Sequence, residues 1–171
     1  MQRIGLFGGS FDPVHNGHIG IAMRALDELR LDKLIVLPAA VNPFKTSHYP
    51  SFSDNDRLLF LRTAFSGLNG ISIDTRELSR GGISYAIDTV RELSLENVEA
   101  ELFFIIGEDS LEGLPRWKDY ELLKKLCSFK AYPRTRESST EIRRRLSEGE
   151  EISSFVNDDL ANVIKSKWRS K

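Results

Sequence analysis

Short apolar runs alternate along the chain with longer stretches in which apolar residues recur every three or four positions. The short runs lie at residues 4–7, 33–37, 71–73, 102–106 and 129–132, and each has the length of a buried strand. The longer stretches have helical spacing, as at Ala22, Ala25, Leu26 and Leu29. Strands that alternate with helices are typical of a parallel sheet. The pattern therefore predicts an α/β fold, in which a single domain over residues 1–171 has a mostly parallel sheet flanked by helices.

Capping residues sharpen the predicted helix starts. Ser53 followed by Asp56 predicts a capped helix, with Leu58, Leu61 and Phe65 on its apolar face. Ser84 is the predicted N-cap of a further helix, which carries Ile87, Val90 and Leu93. Residues 120–126 and 158–168 complete the predicted helices, and Arg80-Gly81-Gly82 is interpreted as a mobile turn.

Composition and charge exclude several classes of partner. Apolar residues make up 40% of the chain, and 24 Lys plus Arg face 25 Asp plus Glu, as in ordinary soluble proteins. The basic run 143–145 is interleaved with Glu141 and Glu148, which favours a helix face or a local phosphate contact over nucleic acid. No apolar run approaches the ~20 residues of a membrane span, and no signal peptide is evident. We therefore expect a cytoplasmic protein without nucleic-acid or membrane partners, with the single Cys127 in its core.

The stretch from Gly8 to His18, between the first strand and first helix, carries the strongest chemical signal. Its glycines allow a close backbone approach to a ligand, and the first turn of a helix offers unpaired N–H groups to an anion. His15 and His18 are three residues apart and face the same way on that turn. The stretch therefore predicts a site for the α-phosphate of a nucleotide. The alternatives are a glycine-rich turn with two surface histidines, or a metal pair with Asp12, for which no further ligand is evident nearby.

Other candidate residues follow the predicted strands. Lys45 lies in the loop 39–52, where it either contacts phosphate or is a solvated lysine. Asp109, just past Gly107, suits the hydroxyls of a ribose or caps the next helix. Trp117 is a core residue or a platform for a ligand.

The last candidate site lies at the helix that begins near residue 138. Three hydroxyl residues at 138–140 supply caps and free N–H groups, and Arg143 lies one turn further along. Together they either bind an anion or form a capped surface helix.

The motif GGSFDPVHNGH resembles the T/S-x-x-H-x-G-H signature of a nucleotidyltransferase superfamily with a Rossmann-like fold. Four further elements resemble its bacterial nicotinate-nucleotide adenylyltransferase branch, in the right order over nearly the full length. They are residues 42–45 (NPFK), 83–89 (ISYAIDT), 105–110 (IIGEDS) with Trp117, and 138–143 (SSTEIR). The resemblance implies adenylyl transfer from ATP to nicotinate mononucleotide in NAD biosynthesis, giving deamido-NAD and pyrophosphate, with Mg²⁺ accompanying ATP.

The resemblance also implies roles for individual residues, with no metal ligand among them. The implied catalytic residues are His15, His18 and Lys45. The implied ATP-binding residues are Gly8, Gly9, Ser10, Phe11, His18, Gly107, Asp109, Ser139, Thr140 and Arg143. The implied mononucleotide-binding residues are Asp12, Lys45, Ser84, Tyr85, Ala86 and Trp117, the last of which would stack on the pyridine ring.

Some positions depart from the branch. Phe44 stands where a histidine is usual, Ala86 replaces a threonine, and Lys118 replaces a frequent tyrosine. Only residues 135–137 separate the last strand region from the serine-rich helix, where relatives usually carry tens of residues. Alternatives therefore stay open: nicotinamide mononucleotide or phosphopantetheine as the acceptor, or a nucleotide-binding regulatory module without turnover. The oligomeric state is open as well.

Overall fold

Five parallel strands form one sheet in the computed structural model, which describes residues 1–170. The strands are β1 (Gln2–Gly9), β2 (Lys33–Pro38), β3 (Ile71–Ile73), β4 (Ala100–Gly107) and β5 (Ser128–Tyr132), in the spatial order β3-β2-β1-β4-β5. The helices are α1 (Asn16–Glu28), α2 (Asp54–Ala64), α3 (Arg76–Arg80), α4 (Ala86–Glu96), α5 (Tyr120–Leu126), α6 (Ser139–Glu148) and α7 (Asp158–Arg169). Two 3₁₀ turns, at Glu108–Ser110 and Leu114–Arg116, lie between β4 and α5. All neighbouring strands pair in parallel.

Helices cover both faces of the sheet, which explains why the strands are apolar without alternation. One core cluster holds buried residues of α1, α2, α6 and α7, for example Ala22, Phe60, Ile142 and Leu160. The second cluster packs α4 and α5 on the opposite face and includes Ile87.

The strand order reverses between β1 and β4. From β1 the chain builds outward to β2 and β3, and it then returns to place β4 on the other side of β1. In open parallel sheets a ligand binds at such a reversal, beyond the carboxyl ends of the strands. Gly9 and Gly107 end β1 and β4 at this edge, so the loops that follow them face a shared crevice.

The fold agrees with the predicted α/β class, and the five predicted strands are all present. Three local predictions were wrong. Residues 76–80 form the short helix α3, so Arg80 ends a helix and the turn begins at Gly81, with φ of 67°. Tyr85 is the N-cap of α4 and makes no side-chain capping bond, because the Ser84 hydroxyl instead accepts the N–H of Ala40.

The third error concerns the buried face of α2. Ser53 caps this helix as predicted, by accepting the N–H of Asp56. However, the buried face comprises Arg57, Phe60, Leu61 and Ala64, while Leu58 is only partly buried. Elsewhere Cys127 is buried as predicted, and burial raises the pKa of its thiol to about 12. Among residues 1–170, no helix has the length and apolar character that crossing a membrane requires.

Candidate active site

Residues 8–15, called the phosphate loop after the anion predicted to bind there, lead out of β1 through an unusual backbone conformation at Phe11. Its φ of 47° lies in the left-handed region, which is rare for an aromatic residue and costs about 1–3 kcal/mol. The buried Phe11 ring packs edge-on against Phe7 and His18, with centroids 5.4 and 5.0 Å away. The ring also covers the backbone of Gly9, where a Cβ would approach it to 3.2 Å. A side chain at position 9 would therefore have to displace the Phe11 ring by a few tenths of an ångström.

The two histidines form a reciprocal cap at the start of α1. His15 is the N-cap, and its Nδ1 accepts the N–H of Gly17 at 3.1 Å. His18 is three residues further on, and its Nδ1 accepts the N–H of His15 at 3.2 Å. The two ring centroids are 3.8 Å apart. The helix start therefore fixes both rings side by side, as their spacing predicts.

Both imidazoles are neutral near pH 7. Burial lowers the pKa of His15 to about 4, with nearby Glu137 opposing and Arg134 assisting the shift. The pKa of His18 is lowered well below its usual range by burial first, and then by the charges of His15, Lys45 and Arg134. A neutral ring whose Nδ1 accepts a hydrogen bond carries its proton on Nε2. Each histidine therefore keeps one N–H donor that the cap does not use.

The prediction that backbone N–H groups of α1 are free for an anion was wrong. The N–H of Asn16 donates to the carbonyl of Phe155 at 2.8 Å, and Gly17 donates to His15. The next two amides both donate to the carbonyl of His15. The histidine cap satisfies this helix start, so the imidazole Nε2–H groups are the donors that remain.

Helix α6 supplies the free backbone donors instead. Its N-cap Ser138 accepts the N–H of Glu141, whereas the N–H groups of Ser139 and Thr140 have no acceptor within residues 1–170. Ser139 Oγ donates to the carbonyl of Pro13 at 2.8 Å, and Arg143 Nη1 donates to that of Asp12 at 2.7 Å. These two bonds hold the helix start against the phosphate loop.

The loop 39–52, which carries Lys45, is fastened at both ends. At its start, Ala40 donates to the buried Ser84 hydroxyl at 2.9 Å. At its end, both carboxylate oxygens of Asp12 accept backbone N–H groups, from Ser51 at 2.7 Å and from Phe52 at 2.9 Å. Asp12 and Ser84 thus have partners within the protein. Lys45 itself is exposed and close enough to His18 to lower its pKa.

The compressed segment after β5 lies over the histidines. Arg134 pairs with Asp109 at 2.5 Å, and its charge lowers the pKa of both His15 and His18. Asp109 therefore faces the crevice, and no side-chain capping bond forms at the start of the 3₁₀ turn that contains it. A Cβ on Gly17 would collide with the hydroxyl of Thr135. The glycine between the two histidines therefore leaves room for the segment after β5 to pack against the start of α1.

Aromatic rings surround Trp117, which is half-buried. Its ring meets Phe104 and Phe129 edge-on, with centroids 5.6 and 5.9 Å away. Phe44, itself 58% exposed, lies 6.2 Å from it on the loop 39–52. Lys118 places its Nζ 4.5 Å from the centre of the Tyr85 ring, at the start of α4. This arrangement joins a flat apolar surface to a cation and a helix N-terminus.

The structure thus gathers candidates from distant parts of the sequence around the histidine pair. Lys45, Asp109, Arg143 and the start of α6 surround it, while Trp117 and Tyr85 lie together beyond the loop 39–52. Sequence reasoning missed Arg134, because the segment that contains it has no regular spacing. Within residues 1–170, no three His, Cys, Asp or Glu side chains gather as they do around a bound metal ion.

Comparison with known proteins places these features in a family. The family model described as cytidylyltransferase-like matches residues 6–156. A Gemmatimonas aurantiaca protein named "probable nicotinate-nucleotide adenylyltransferase" is 38% identical over 96% of this chain and 90% of its own length. A protein of the same name from Pseudomonas entomophila is 36% identical over 99% of this chain and 78% of its own. The nicotinic acid mononucleotide adenylyltransferase of Plasmodium falciparum, complexed with NaAD, shares the fold with a TM-score of 0.75. It is 15% identical, and the match covers 97% of this chain and 96% of that one.

Proposed function

The chain belongs to the cytidylyltransferase-like family and, within it, to the nicotinate-nucleotide adenylyltransferases, and on this premise we propose how it works. It transfers the adenylyl group of ATP to nicotinate mononucleotide and releases deamido-NAD and pyrophosphate, a step of NAD biosynthesis. As part of the same proposal, residues 1–171 form one nucleotidyltransferase domain that works in the cytoplasm.

The observation that carries the proposal is the convergence of anion-binding groups on one crevice. The Nε2–H groups of His15 and His18 come from the start of α1, and the ammonium of Lys45 comes from the loop 39–52. Arg143 and the two free amides of α6 come from a third region, held against the phosphate loop by hydrogen bonds. The chain as a whole carries a formal charge of −1, so this concentration of donors is local. Two phosphorylated substrates need such a site, because their charges repel each other.

The reaction needs positioning more than proton transfer. An oxygen of the mononucleotide 5′-phosphate attacks the α-phosphorus of ATP, and a new P–O bond forms. The bond from the α-phosphorus to the α–β bridging oxygen breaks, and pyrophosphate leaves with that electron pair. The attacking phosphate is already ionised, so no general base is required. His15, His18 and Lys45 align the two phosphates and stabilise the charge that spreads over the transition state.

The two ends of ATP are assigned to opposite sides of the histidines. Ser139, Thr140 and Arg143 take the departing β- and γ-phosphates, since free amides at a helix start favour anions. Gly107 and Asp109 receive the ribose, for which Asp109 exchanges its bond with Arg134 for the sugar hydroxyls. The phosphates of ATP lie along the backbone of four residues of the phosphate loop: Gly8, Gly9, Ser10 and Phe11.

A divalent metal accompanies ATP in this reaction, and Mg²⁺ is the ion that we propose. Mg²⁺ binds phosphate oxygens and water and needs few protein ligands. The ion therefore enters with ATP as part of the substrate.

The mononucleotide occupies the side of the crevice next to α4. Trp117 stacks on the pyridine ring, and the ring carboxylate lies near Tyr85 and Ala86. The N–H groups of Ala86 and Ile87 begin α4 without an acceptor within residues 1–170. Lys118, above Tyr85, adds a positive charge at the same place. These groups favour the acid over nicotinamide mononucleotide, because the acid carries an additional negative charge. Asp12 and Ser84 contribute by holding the loop that carries Lys45.

A coupled assay for pyrophosphate release tests the proposal. The enzyme is supplied with ATP, Mg²⁺ and one acceptor at a time: nicotinate mononucleotide, nicotinamide mononucleotide or phosphopantetheine. We expect the highest kcat/KM with nicotinate mononucleotide and no turnover with phosphopantetheine. Turnover that prefers phosphopantetheine would assign the chain a different acceptor, and no turnover with any of them would favour a binding module.

A further inference from the structure

Arg57 is wholly buried beneath the phosphate loop, although it lies on the apolar face of α2. Its side chain is 0% exposed. Nη1 donates to the carbonyl of Ser10 at 2.6 Å and to that of Ala39 at 2.8 Å. Nη2 donates to the half-exposed carboxylate of Asp54 at 2.7 Å. The guanidinium therefore joins the phosphate loop to the start of the loop that carries Lys45.

Stability alone does not account for an arginine at this position. A buried cation is costly, and replacing a buried ion pair by apolar side chains is often neutral or stabilising. Here Nε has no acceptor within residues 1–170, so the guanidinium is incompletely satisfied. The other buried residues on this face of α2, Phe60, Leu61 and Ala64, are all apolar. What the arginine adds is its grip on two backbone carbonyls.

The bond to Ser10 determines the direction of one peptide group. In a trans peptide the C=O and the following N–H point in opposite directions. Arg57 draws the Ser10 carbonyl inward, so the N–H of Phe11 points the other way, and it has no acceptor within residues 1–170. The left-handed conformation of Phe11 accompanies this orientation. Without Arg57, a turned peptide would present a carbonyl oxygen, which repels phosphate.

We propose that Arg57 is a positioning residue that holds the Ser10–Phe11 peptide with its N–H toward the transferred phosphate. This role rests on the proposed function for the identity of the anion. Arg57 acts through the peptide and does not itself touch the substrate. Its second bond, to Ala39, keeps the Lys45 loop in register with the same peptide.

The test compares Arg57→Met and Arg57→Lys with Asp54→Asn, which removes the ion pair but leaves both carbonyl bonds. Circular dichroism first establishes that each variant is folded at the assay temperature. The N–H resonance of Phe11 in ¹⁵N-labelled protein is then followed as AMP is added, because the single phosphate of AMP corresponds to the transferred α-phosphate of ATP. We expect that resonance to move in the wild type and in Asp54→Asn, and to lose its response in Arg57→Met.

Turnover supplies the second readout. Arg57→Met should lower kcat about 10²-fold, which is typical for the loss of one preorganised donor. Arg57→Lys retains a single donor group and should fall between Arg57→Met and the wild type, and it carries the test if Arg57→Met does not fold. Asp54→Asn should keep most of the wild-type kcat even if its Tm falls.

Equal kcat in folded Arg57→Met or Arg57→Lys and wild type would overturn the positioning role. An equal loss of kcat in Asp54→Asn would overturn it as well, by assigning the effect to the ion pair. The two proposals fail differently. A wild type whose Phe11 resonance responds to AMP but which shows no adenylyl transfer contradicts the proposed function alone. Turnover without that response contradicts the role of Arg57.

Discussion

His15 and His18 each accept a backbone hydrogen bond through Nδ1, so that their rings lie with centroids 3.8 Å apart. The cap usually formed by a serine and a glutamate is here formed by two imidazoles. The same bonds that begin α1 fix the neutral rings with their protons on Nε2. The same two rings therefore cap the helix through Nδ1 and, in the proposed function, bind phosphate through Nε2, and substitutions at these positions must separate the two.

Replacing His18 by alanine removes both a phosphate donor and a cap acceptor. We expect kcat to fall about 10²–10³-fold, as for other preorganised donors to a transition state. His18→Gln is the matched control for folding, because glutamine at the third helical position still accepts the N–H of the N-cap residue. Steady-state kinetics should show a loss of kcat in both variants. Thermal unfolding should show a smaller decrease of Tm in His18→Gln than in His18→Ala. A His18→Ala enzyme that keeps most of its turnover would contradict the catalytic assignment.

The depressed pKa of His15 predicts a pH dependence of stability. The unfolded chain takes up a proton at His15 near pH 6.5, whereas burial delays this in the folded protein until the pH falls to about 4. The stability linked to His15 is therefore present above pH 6.5 and is lost as the pH falls toward 4. The loss corresponds to about 3 kcal/mol in the free energy of unfolding.

His15→Asn isolates this effect, since asparagine also caps a helix but does not titrate in this range. The measurement is urea unfolding of both proteins at pH 7.5 and pH 4. The wild type should lose more stability than the variant over this interval, because the carboxylates are common to both. Parallel losses would show that the His15 ring takes up its proton in the folded protein as it does in solution.

Arg143 and Arg144 are adjacent on α6 but face different surroundings. Arg143 donates to the carbonyl of Asp12 beside the phosphate loop, whereas Arg144 pairs with Glu141, Glu148 and Glu150 at the surface. Arg143→Ala should raise KM for ATP more than KM for nicotinate mononucleotide, because Arg143 is assigned to the leaving pyrophosphate. Arg144→Ala should leave both values near those of the wild type. A rise confined to the mononucleotide would mean that the two substrates are assigned to the wrong sides.

Local signals predicted those parts of the site that depend on neighbouring residues. The strand before the histidines and the helix after them were evident from spacing, and so was the placement of both rings on the same side of the first turn. The occupied amides of α1 were not, because their acceptors include Phe155, far along the chain. Ser84 likewise serves Ala40 across the fold and not the helix beside it. A long-range acceptor overrides a local preference wherever burial requires it to be satisfied.

Arg57 shows a different kind of failure. Its spacing from Phe60, Leu61 and Ala64 is that of a single helix face, but arginine is rarely buried, and the predicted apolar face comprised Leu58, Leu61 and Phe65. The conflict between residue type and spacing was itself a signal. Arg134 gave no such signal, since its pairing with Asp109 is set by the packing of one loop on another.

The residues assigned to the pyridine ring predict that the enzyme prefers nicotinate mononucleotide to nicotinamide mononucleotide. Trp117→Ala should weaken the binding of both nicotinate and nicotinamide mononucleotide, since stacking on an aromatic side chain is typically worth about 1–3 kcal/mol. Lys118→Met should lower kcat/KM for the acid and leave the amide unchanged. Lys124→Met is its control, because Lys124 lies over the Tyr120 ring on α5 in a similar contact. Equal kcat/KM for acid and amide in the wild type would contradict the preference.

The central claim is adenylyl transfer from ATP to nicotinate mononucleotide, and ATP labelled with ³²P at the α-phosphate tests it most directly. The labelled ATP is incubated with enzyme, Mg²⁺ and nicotinate mononucleotide, and the products are separated by chromatography. The label should appear in deamido-NAD, and unlabelled pyrophosphate should form in equal amount. Over the same time, most of the label should remain in ATP when His18→Ala replaces the wild type. Labelled AMP without a dinucleotide, or no movement of the label at all, would contradict the claim.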